Sequence, residues 1–321
     1  MSTDKEFIIG NKEILPGQNE IVKLQVASLP SGTRINIHVH VYRSINPGPT
    51  LLVLGGVHGD EINGVEIVRR SIASGMYNQL DKGNVIAIPL LNIYGFINFS
   101  RDTPDGKDVN RSFPGNMSGS LSSRVARTLT KKIMPLVDLG VDYHTGGGSR
   151  YNYPQIRYEK TNKKAFDLAK DFGAPYMINK PIIPKSLRKV GANLDVPIII
   201  FEGGESLRFD GFSIEKGLQG LKRLMNKQGM LPTPIPEEKK FVFNKSSWLR
   251  ASRSGLFTWS KQSGQKVRKG EPLGVINDPY GQDEIPVLAN KDGYIIGHNN
   301  ACVVSQGDAL FHIGYEVEIV D

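Results

Sequence analysis

Apolar positions along this chain follow two rhythms, and the order in which they occur predicts a fold class. Thr33 to Tyr42 (TRINIHVHVY) alternates strictly, with Ile35, Ile37, Val39 and Val41 on one face and Asn36, His38 and His40 on the other. A period of two predicts a half-buried strand. LLVL from Leu51, NVIAIPLL from Asn84 to Leu91, LGVDYHTGGG from Leu139 and the run Ile198 to Phe201 are denser in apolar residues, as expected of strands covered on both faces. Helical spacing appears from Ile62, over Leu121 to Leu136, Lys163 to Phe172, Leu187 to Leu194 and Phe212 to Met225. Strand and helix signals therefore alternate from about residue 50 to 230, which predicts an α/β sandwich on a largely parallel sheet.

The rhythm changes at Leu231. Leu231 to Lys240 (LPTPIPEEKK) carries three prolines and four charges, the composition of a linker or domain edge. From Phe241 the helical patterns stop, and short apolar pieces are broken by GQKVRKGEPLG, NDPYGQDE, NKDG and SQGD. Turns at that spacing predict a small all-β module. The expected division is an α/β domain over 1–235 and a β domain over 236–321, which suits a chain of 321 residues. One long irregular stretch, Ile93 to Gly119, stays inside the first domain. Loops of such length in a compact domain are usually functional.

Composition narrows the function classes. A hydrophobic share of 39% and a charged share of 22% are those of a soluble globular protein with a sizeable core. The opening MSTDKEFIIG has neither the charged nor the apolar region of a secretory signal, and no apolar run approaches the roughly 20 residues of a membrane span. Cytoplasm is the expected compartment. Cys302, the single cysteine, excludes an intrachain disulfide and a cysteine metal cage. The net charge of +8 is spread over short pairs such as Lys131 and Lys132, with no basic run or aromatic RNA motif. That argues against nucleic acid and leaves the excess charge free to draw small anions into a basic cleft.

The chemistry gathers where strands end. After Leu54 the chain turns through Gly55, Gly56 and Gly59 and presents His58, Asp60 and Glu61. An HxxE pair on a tight turn can bring imidazole and carboxylate to one divalent cation; alternatively, the acids only favour the positive end of the following helix. His144 repeats the placement at a second strand end, and Glu202 stands at the rim of a third, ahead of Gly203 and Gly204. In open α/β sheets ligands collect beyond the carboxyl ends of the strands, and a rim carboxylate suits proton transfer. The irregular stretch supplies Arg101, Asn110 and Arg111, planar groups that clamp carboxylates. His38 and His40 sit on a polar strand face without a nearby carboxylate and read as solvated.

HGDE at His58 to Glu61, Arg101 followed by DVNRSFPG, His144 and Glu202 together resemble the succinylglutamate desuccinylase/aspartoacylase family of zinc carboxypeptidase-like hydrolases. The resemblance covers essentially the whole chain. It implies a carboxypeptidase-like mixed α/β domain and a C-terminal β domain. The latter also looks like a biotinyl/lipoyl-type sandwich, through Val267 to Gly270, Asp292-Gly293 and Gly307-Asp308. The Met-Lys-Met tip that carriers modify is absent, so Lys291 is expected to be an unmodified turn lysine. The resemblance further implies one Zn2+ per chain on His58, Glu61 and His144, with a fourth position for water. It makes Glu202 the proton carrier, Arg101 the oxyanion partner, Asn110 and Arg111 the carboxylate grip and Asp108 an orienting acid. Arg188, in SLRKVGANLDVP, resembles a further substrate-side arginine. Two departures stand out: Asn92-Ile93-Tyr94-Gly95 where carboxypeptidases carry Asn-Pro-Asp-Gly, and Asp60 where aspartoacylase has Asn.

The expected function is zinc-dependent cleavage of the amide bond of a small, carboxylate-bearing N-acyl amino acid or amine. The rivals are a carboxypeptidase using the same metal, and a carrier module built on the C-terminal sandwich. Acyl group, amine and oligomeric state stay open.

Overall fold

Neighbouring residues of the central strands point into two different cores, which makes the sheet the middle layer of three. The computed structural model describes residues 6–320. The first part of the chain forms β1 (Asn19–Ser28), β2 (Arg34–Arg43), β3 (Thr50–Leu54), α1 (Ile62–Ala73), β4 (Asn84–Ile88), α2 (Ile93–Ile97), α3 (Leu121–Lys132) and β5 (Leu139–Gly146). Then come β6 (Arg150–Tyr158), α4 (Lys163–Phe172), β7 (Tyr176–Asn179), α5 (Leu187–Asn193), β8 (Ile198–Glu205) and α6 (Gly211–Lys227). Leu52, Leu54, Ile86 and Ile88 join the core covered by α3 and α5. Leu51, Val53, Val85 and Ala87 join the one covered by α1, α4 and α6. Each such buried leucine, isoleucine or valine contributes roughly 1.5–3 kcal/mol.

The sheet is mixed. At its centre β4, β3, β5 and β8 run parallel, as the alternating pattern predicts. Both flanks are antiparallel: β2 and β1 on one side, β6 on the other. The reason is connection length, since β1 reaches β2 through a short turn, whereas a parallel neighbour needs a crossover helix. Of these elements, the strands β1, β6 and β7 lie outside the expected ones, and so does α2, which falls in the stretch expected to be irregular. Helix α3 stops at Lys132 and a 3-10 turn, Met134–Leu136, follows, because Pro135 cannot extend the helix. Strand β8 continues past Glu202 to Glu205 with a shift of register between them, a bulge that Gly204 accommodates at φ +79°.

Residues beyond the linker form β9 (Lys240–Arg250), β10 (Gly255–Trp259), β11 (Pro272–Asn277), β12 (Glu284–Leu288), β13 (Gly293–Asn299) and β14 (Ala309–Val320). Hydrogen bonding does not stop at residue 235. Strand β9 pairs in parallel with β7, and β13 pairs with β6, so β6, β7, β9, β14 and β13 close a ring of five strands. Tyr176, Ile178, Phe243 and Ile296 form a small core among them. A separate antiparallel sheet of β12, β11, β10 and Val303–Val304 covers the far side. Its Phe257, Leu273 and Ile276 share a core with Ile295, Phe311 and Ile313 of the large sheet. The C-terminal sandwich thus has one layer of its own and one that belongs to the large sheet. Lys291 lies over the Tyr315 ring at 3.9 Å, a cation–π contact. Among the described residues no helix is long and apolar enough to cross a membrane.

Helix α1 starts directly after the candidate ligand Glu61, and one glycine sets how close it sits to β5. A Cβ on Gly64 would lie 2.6 Å from the Tyr143 carbonyl oxygen. Helix propensity alone would make Gly64→Ala stabilising by about 1 kcal/mol, but the clash is expected to reverse the sign and cost about 1–3 kcal/mol in urea unfolding. Gly211→Ala, whose methyl meets nothing within 4 Å, is expected to be neutral or stabilising. A stabilising Gly64→Ala would show that this contact does not set the helix position.

Candidate metal centre

The turn after β3 is held by the loop after β4. Leu91 N and Asn92 N donate to the carbonyls of Gly55 and Gly56. Gly59 packs so tightly on α2 that a Cβ would fall 2.0 Å from Gly95 C and Phe96 N. Glu61 occupies the N-cap position of α1, yet its side chain makes no capping hydrogen bond. This decides between the two readings of HxxE: the carboxylate is turned away from the helix and toward two imidazoles.

Glu61 Oε1 is 2.8 Å from His58 Nδ1, and Glu61 Oε2 is 2.8 Å from His144 Nδ1. The two Nδ1 atoms face each other at 3.1 Å. Among the described residues this is the one group of at least three His, Cys, Asp or Glu side chains whose ligand atoms all lie within 4.8 Å of one another. All three are buried. Two imidazole lone pairs aimed at each other repel unless a proton or a cation lies between them, and a set of two nitrogens and a carboxylate oxygen is one that zinc accepts. The residues fit the metal. His38 and His40 stay on the outer side of β2 and enter no such group.

Each imidazole has an aspartate behind it. His58 Nε2 meets Asp108 Oδ1 at 3.1 Å, and His144 Nε2 lies 2.8 Å from Asp142 Oδ2, an ion-pair distance without hydrogen-bond alignment. Such partners select the tautomer that leaves Nδ1 as the lone-pair nitrogen. Burial opposes charge on both rings, but Asp142 and Glu61 hold His144 well above the usual histidine range, and Glu61 and Asp108 hold His58 above it. Burial would also raise Glu61, yet His58 and His144 keep it well below the usual carboxylate range. Arg101 joins this network through Nη1 to Glu61 at 2.9 Å and Nη2 to Asp108 at 3.0 Å.

Glu202 is the direct lateral neighbour of His144 in the β8–β5 register. Asn152 Nδ2 donates to its Oε2 at 2.8 Å, and Arg157 Nη1 pairs with its Oε1 at 2.7 Å. The ligand triad, Glu202, Arg101, Asn110 and Arg111 all line one cavity of about 560 Å³. Asn110 is set by its Oδ1, which accepts from Leu187 N at 2.9 Å, and Arg111 folds back onto the Asn110 carbonyl at 2.8 Å. Arg188 is placed elsewhere. It is buried against a separate narrow cavity with Glu159 and donates to the Lys180 carbonyl at 3.1 Å. It does not line the cavity that holds the triad.

A profile of the succinylglutamate desuccinylase/aspartoacylase catalytic domain matches residues 47–227, more than half of the chain. The chain belongs to this family. Over 300 residues it is 26% identical to N-alpha-acetyl-L-2,4-diaminobutyric acid deacetylase of Halomonas elongata, covering 84% of this chain and 83% of that protein. The fold matches a succinylglutamate desuccinylase/aspartoacylase of Rhodobacter sphaeroides with a TM-score of 0.83 at 24% identity, covering 99% of both chains. It matches the product-bound ectoine utilization protein EutE (DoeB) of Ruegeria pomeroyi with a TM-score of 0.82 at 23% identity, covering 92% of this chain and 94% of that one.

Within this family member, the departure at Asn92 to Gly95 leaves the asparagine in structural use. Asn92 Oδ1 accepts from Gly95 N at 2.9 Å, and its Nδ2 donates to the Arg101 carbonyl at 3.2 Å, which ties the loop of Arg101 to the turn of His58. Three side chains that support His144 or Glu202 were not among the sequence candidates. Asp142 had a signal, a charge two residues before His144 on a strand buried throughout. Asn152 and Arg157 had none, because they reach Glu202 only through the antiparallel pairing of β6 with β8. Purified protein is expected to bind one zinc per chain, and His144→Ala to lose it. Asp142→Asn is expected to weaken zinc about 10- to 100-fold in competition with a chromophoric chelator; unchanged affinity would remove Asp142 from the support of His144.

Proposed function

We propose that this protein is a zinc-dependent amidohydrolase that removes the acyl group from a small, carboxylate-bearing N-acyl amino acid or related amine. The observation that carries the reading is the convergence of His58, Glu61 and His144 on one point of a cavity that Glu202 also lines. Family membership and the deacetylase activity in the name of the Halomonas relative support the same reaction class. A divalent ion held by the triad would supply Lewis acidity at the carbonyl and lower the pKa of a water toward neutrality.

Glu202 takes the proton of the attacking water and hands it to the departing amine nitrogen. Asn152 and Arg157, one on each carboxylate oxygen, fix the direction in which it does so. Arg101 contributes its charge to the developing oxyanion; both terminal nitrogens are already engaged with Glu61 and Asp108, so it acts as a fixed positive field close to the reacting carbonyl. Asn110 and Arg111 grip the substrate carboxylate through amide and guanidinium. Asp108 and Asp142 steady the two imidazoles. Trp248 and His312, from strands β9 and β14, stand in the cavity wall, which favours a small substrate over a peptide chain.

Zinc-loaded protein assayed against N-acetyl, N-succinyl and peptide substrates is expected to hydrolyse the small N-acyl compounds. Glu202→Gln is expected to lower turnover by about 100- to 10,000-fold with zinc retained. Robust turnover in that variant would take Glu202 out of the mechanism, and a preference for peptides would make the protein a carboxypeptidase.

A further inference from the structure

A cavity of about 260 Å³ lies between the end of α3 and α5, and none of the residues that build the metal centre lines it. Its floor is apolar, made by the buried Phe113 with Pro114, Pro135, Val190 and Leu194. Two lysines stand over that floor, Lys131 in the last turn of α3 and Lys189 on α5, and no aspartate or glutamate joins them. Both lysines are exposed, and among the described residues neither ammonium takes part in an ion pair or a hydrogen bond. The catalytic cavity differs in kind, since Glu61, Asp108 and Glu202 set carboxylates among its bases. An apolar floor under two unpaired cations suits a ligand with an apolar body and an anionic head.

The two walls of this cleft are also the two sides of the joint that sets Asn110. On one side, Phe113 and Pro114 follow closely on the turn Val109–Arg111. On the other, Ser186, Lys189 and Val190 belong to the start of α5. Two hydrogen bonds cross between these segments: Phe113 N donates to the Lys185 carbonyl at 3.1 Å, and Leu187 N donates to Asn110 Oδ1 at 2.9 Å. With Oδ1 committed to Leu187, Asn110 keeps its amide Nδ2 as a donor for the catalytic cavity that it lines. A ligand shifts an equilibrium only by its differential affinity for the two states. A body seated against both walls has that difference, because its contacts are lost when the walls part.

We propose that the cleft between α3 and α5 is an effector site for a small amphipathic monoanion, an unbranched carboxylate of medium length. Its carboxylate meets Lys131 and Lys189, and its chain lies on Phe113, Pro114 and Val190. Occupancy favours the arrangement in which Asn110 is held for the substrate carboxylate, a step that rests on the deacylase reading. The effector is therefore an activator that acts through KM rather than kcat, and the coupling of the two binding events is reciprocal. The two lysines repel an ammonium head, and a short chain leaves the apolar floor uncovered.

Calorimetric titration of the zinc-loaded protein with octanoate, hexanoate and octylamine reads the site directly. Octanoate is expected to bind with a Kd tighter than about 1 mM, equivalent to about five buried methylenes, and hexanoate to bind about 15-fold more weakly. Octylamine, a cation at neutral pH, is expected to bind about 10-fold more weakly than octanoate, and the double variant Lys131→Gln, Lys189→Gln to bring the two within about threefold. Asn193→Trp, at an exposed position lining the cleft, fills it and is expected to abolish octanoate binding while zinc content and melting temperature stay unchanged. Octanoate binding that survives in Asn193→Trp, or octylamine binding as tight as octanoate, overturns the site. Should Asn193→Trp fold poorly, the double lysine variant decides alone: an unchanged preference for octanoate overturns the site. With an N-acetyl or N-succinyl substrate that turns over, saturating octanoate is expected to lower KM about 5-fold at constant kcat, and to lose that effect in Asn193→Trp. An unchanged KM, or a raised one as for a competitor at the metal centre, overturns the effector role. If no N-acyl substrate is hydrolysed, the deacylase reading falls, and the titrations alone judge the cleft.

Discussion

The site depends on one buried carboxylate shared between two imidazoles. Glu61 has a side chain only 2% exposed, and removing such a charge from water costs several kcal/mol unless its lone pairs are met. Here they are met by His58, His144, Arg101 and the Thr145 amide. These partners come from the turn after β3, the end of β5 and the long loop before α3, so the carboxylate joins three distant pieces of chain. Asp108 and Asp142 extend the same arrangement outward, each placing an acid behind an imidazole. The centre is an alternation of acid and base whose three inner groups fit a divalent cation.

Sheet register then determines what else can reach that centre. Because β5 and β8 run parallel in register, Glu202 stands beside His144 on the same face. Because β6 is antiparallel to β8, Arg157 and Asn152 come alongside Glu202. The C-terminal strands continue this sheet through β9 and β13, and they bring Trp248 and His312 to the cavity. The second part of the chain is therefore a wall of the site, attached through backbone hydrogen bonds rather than by a flexible linker.

The apolar rhythm settled the helices α1, α3, α4, α5 and α6, the parallel centre of the sheet and the strand ends at which His58, His144 and Glu202 stand, because burial on one or both faces writes itself into spacing. Asp142, a charge on a buried strand, had a signal of its own but was not among the sequence candidates. Other features follow from pairing across the sheet, which no local pattern records. Strands β6 and β7 are mixed in composition and become strands by filling positions between others. Arg157, Lys180, Trp248 and His312 lie on separate elements, and meet only when the five-stranded ring closes. Arg188 carries the expected group in a matching stretch, yet it lines a separate, narrow cavity. Sequence determined which side chains sit at the ends of buried strands, since hydrophobic burial is local in its demands. Only the tertiary structure decided which of them face one another, since register and ring closure depend on hydrogen bonds between residues far apart in the chain.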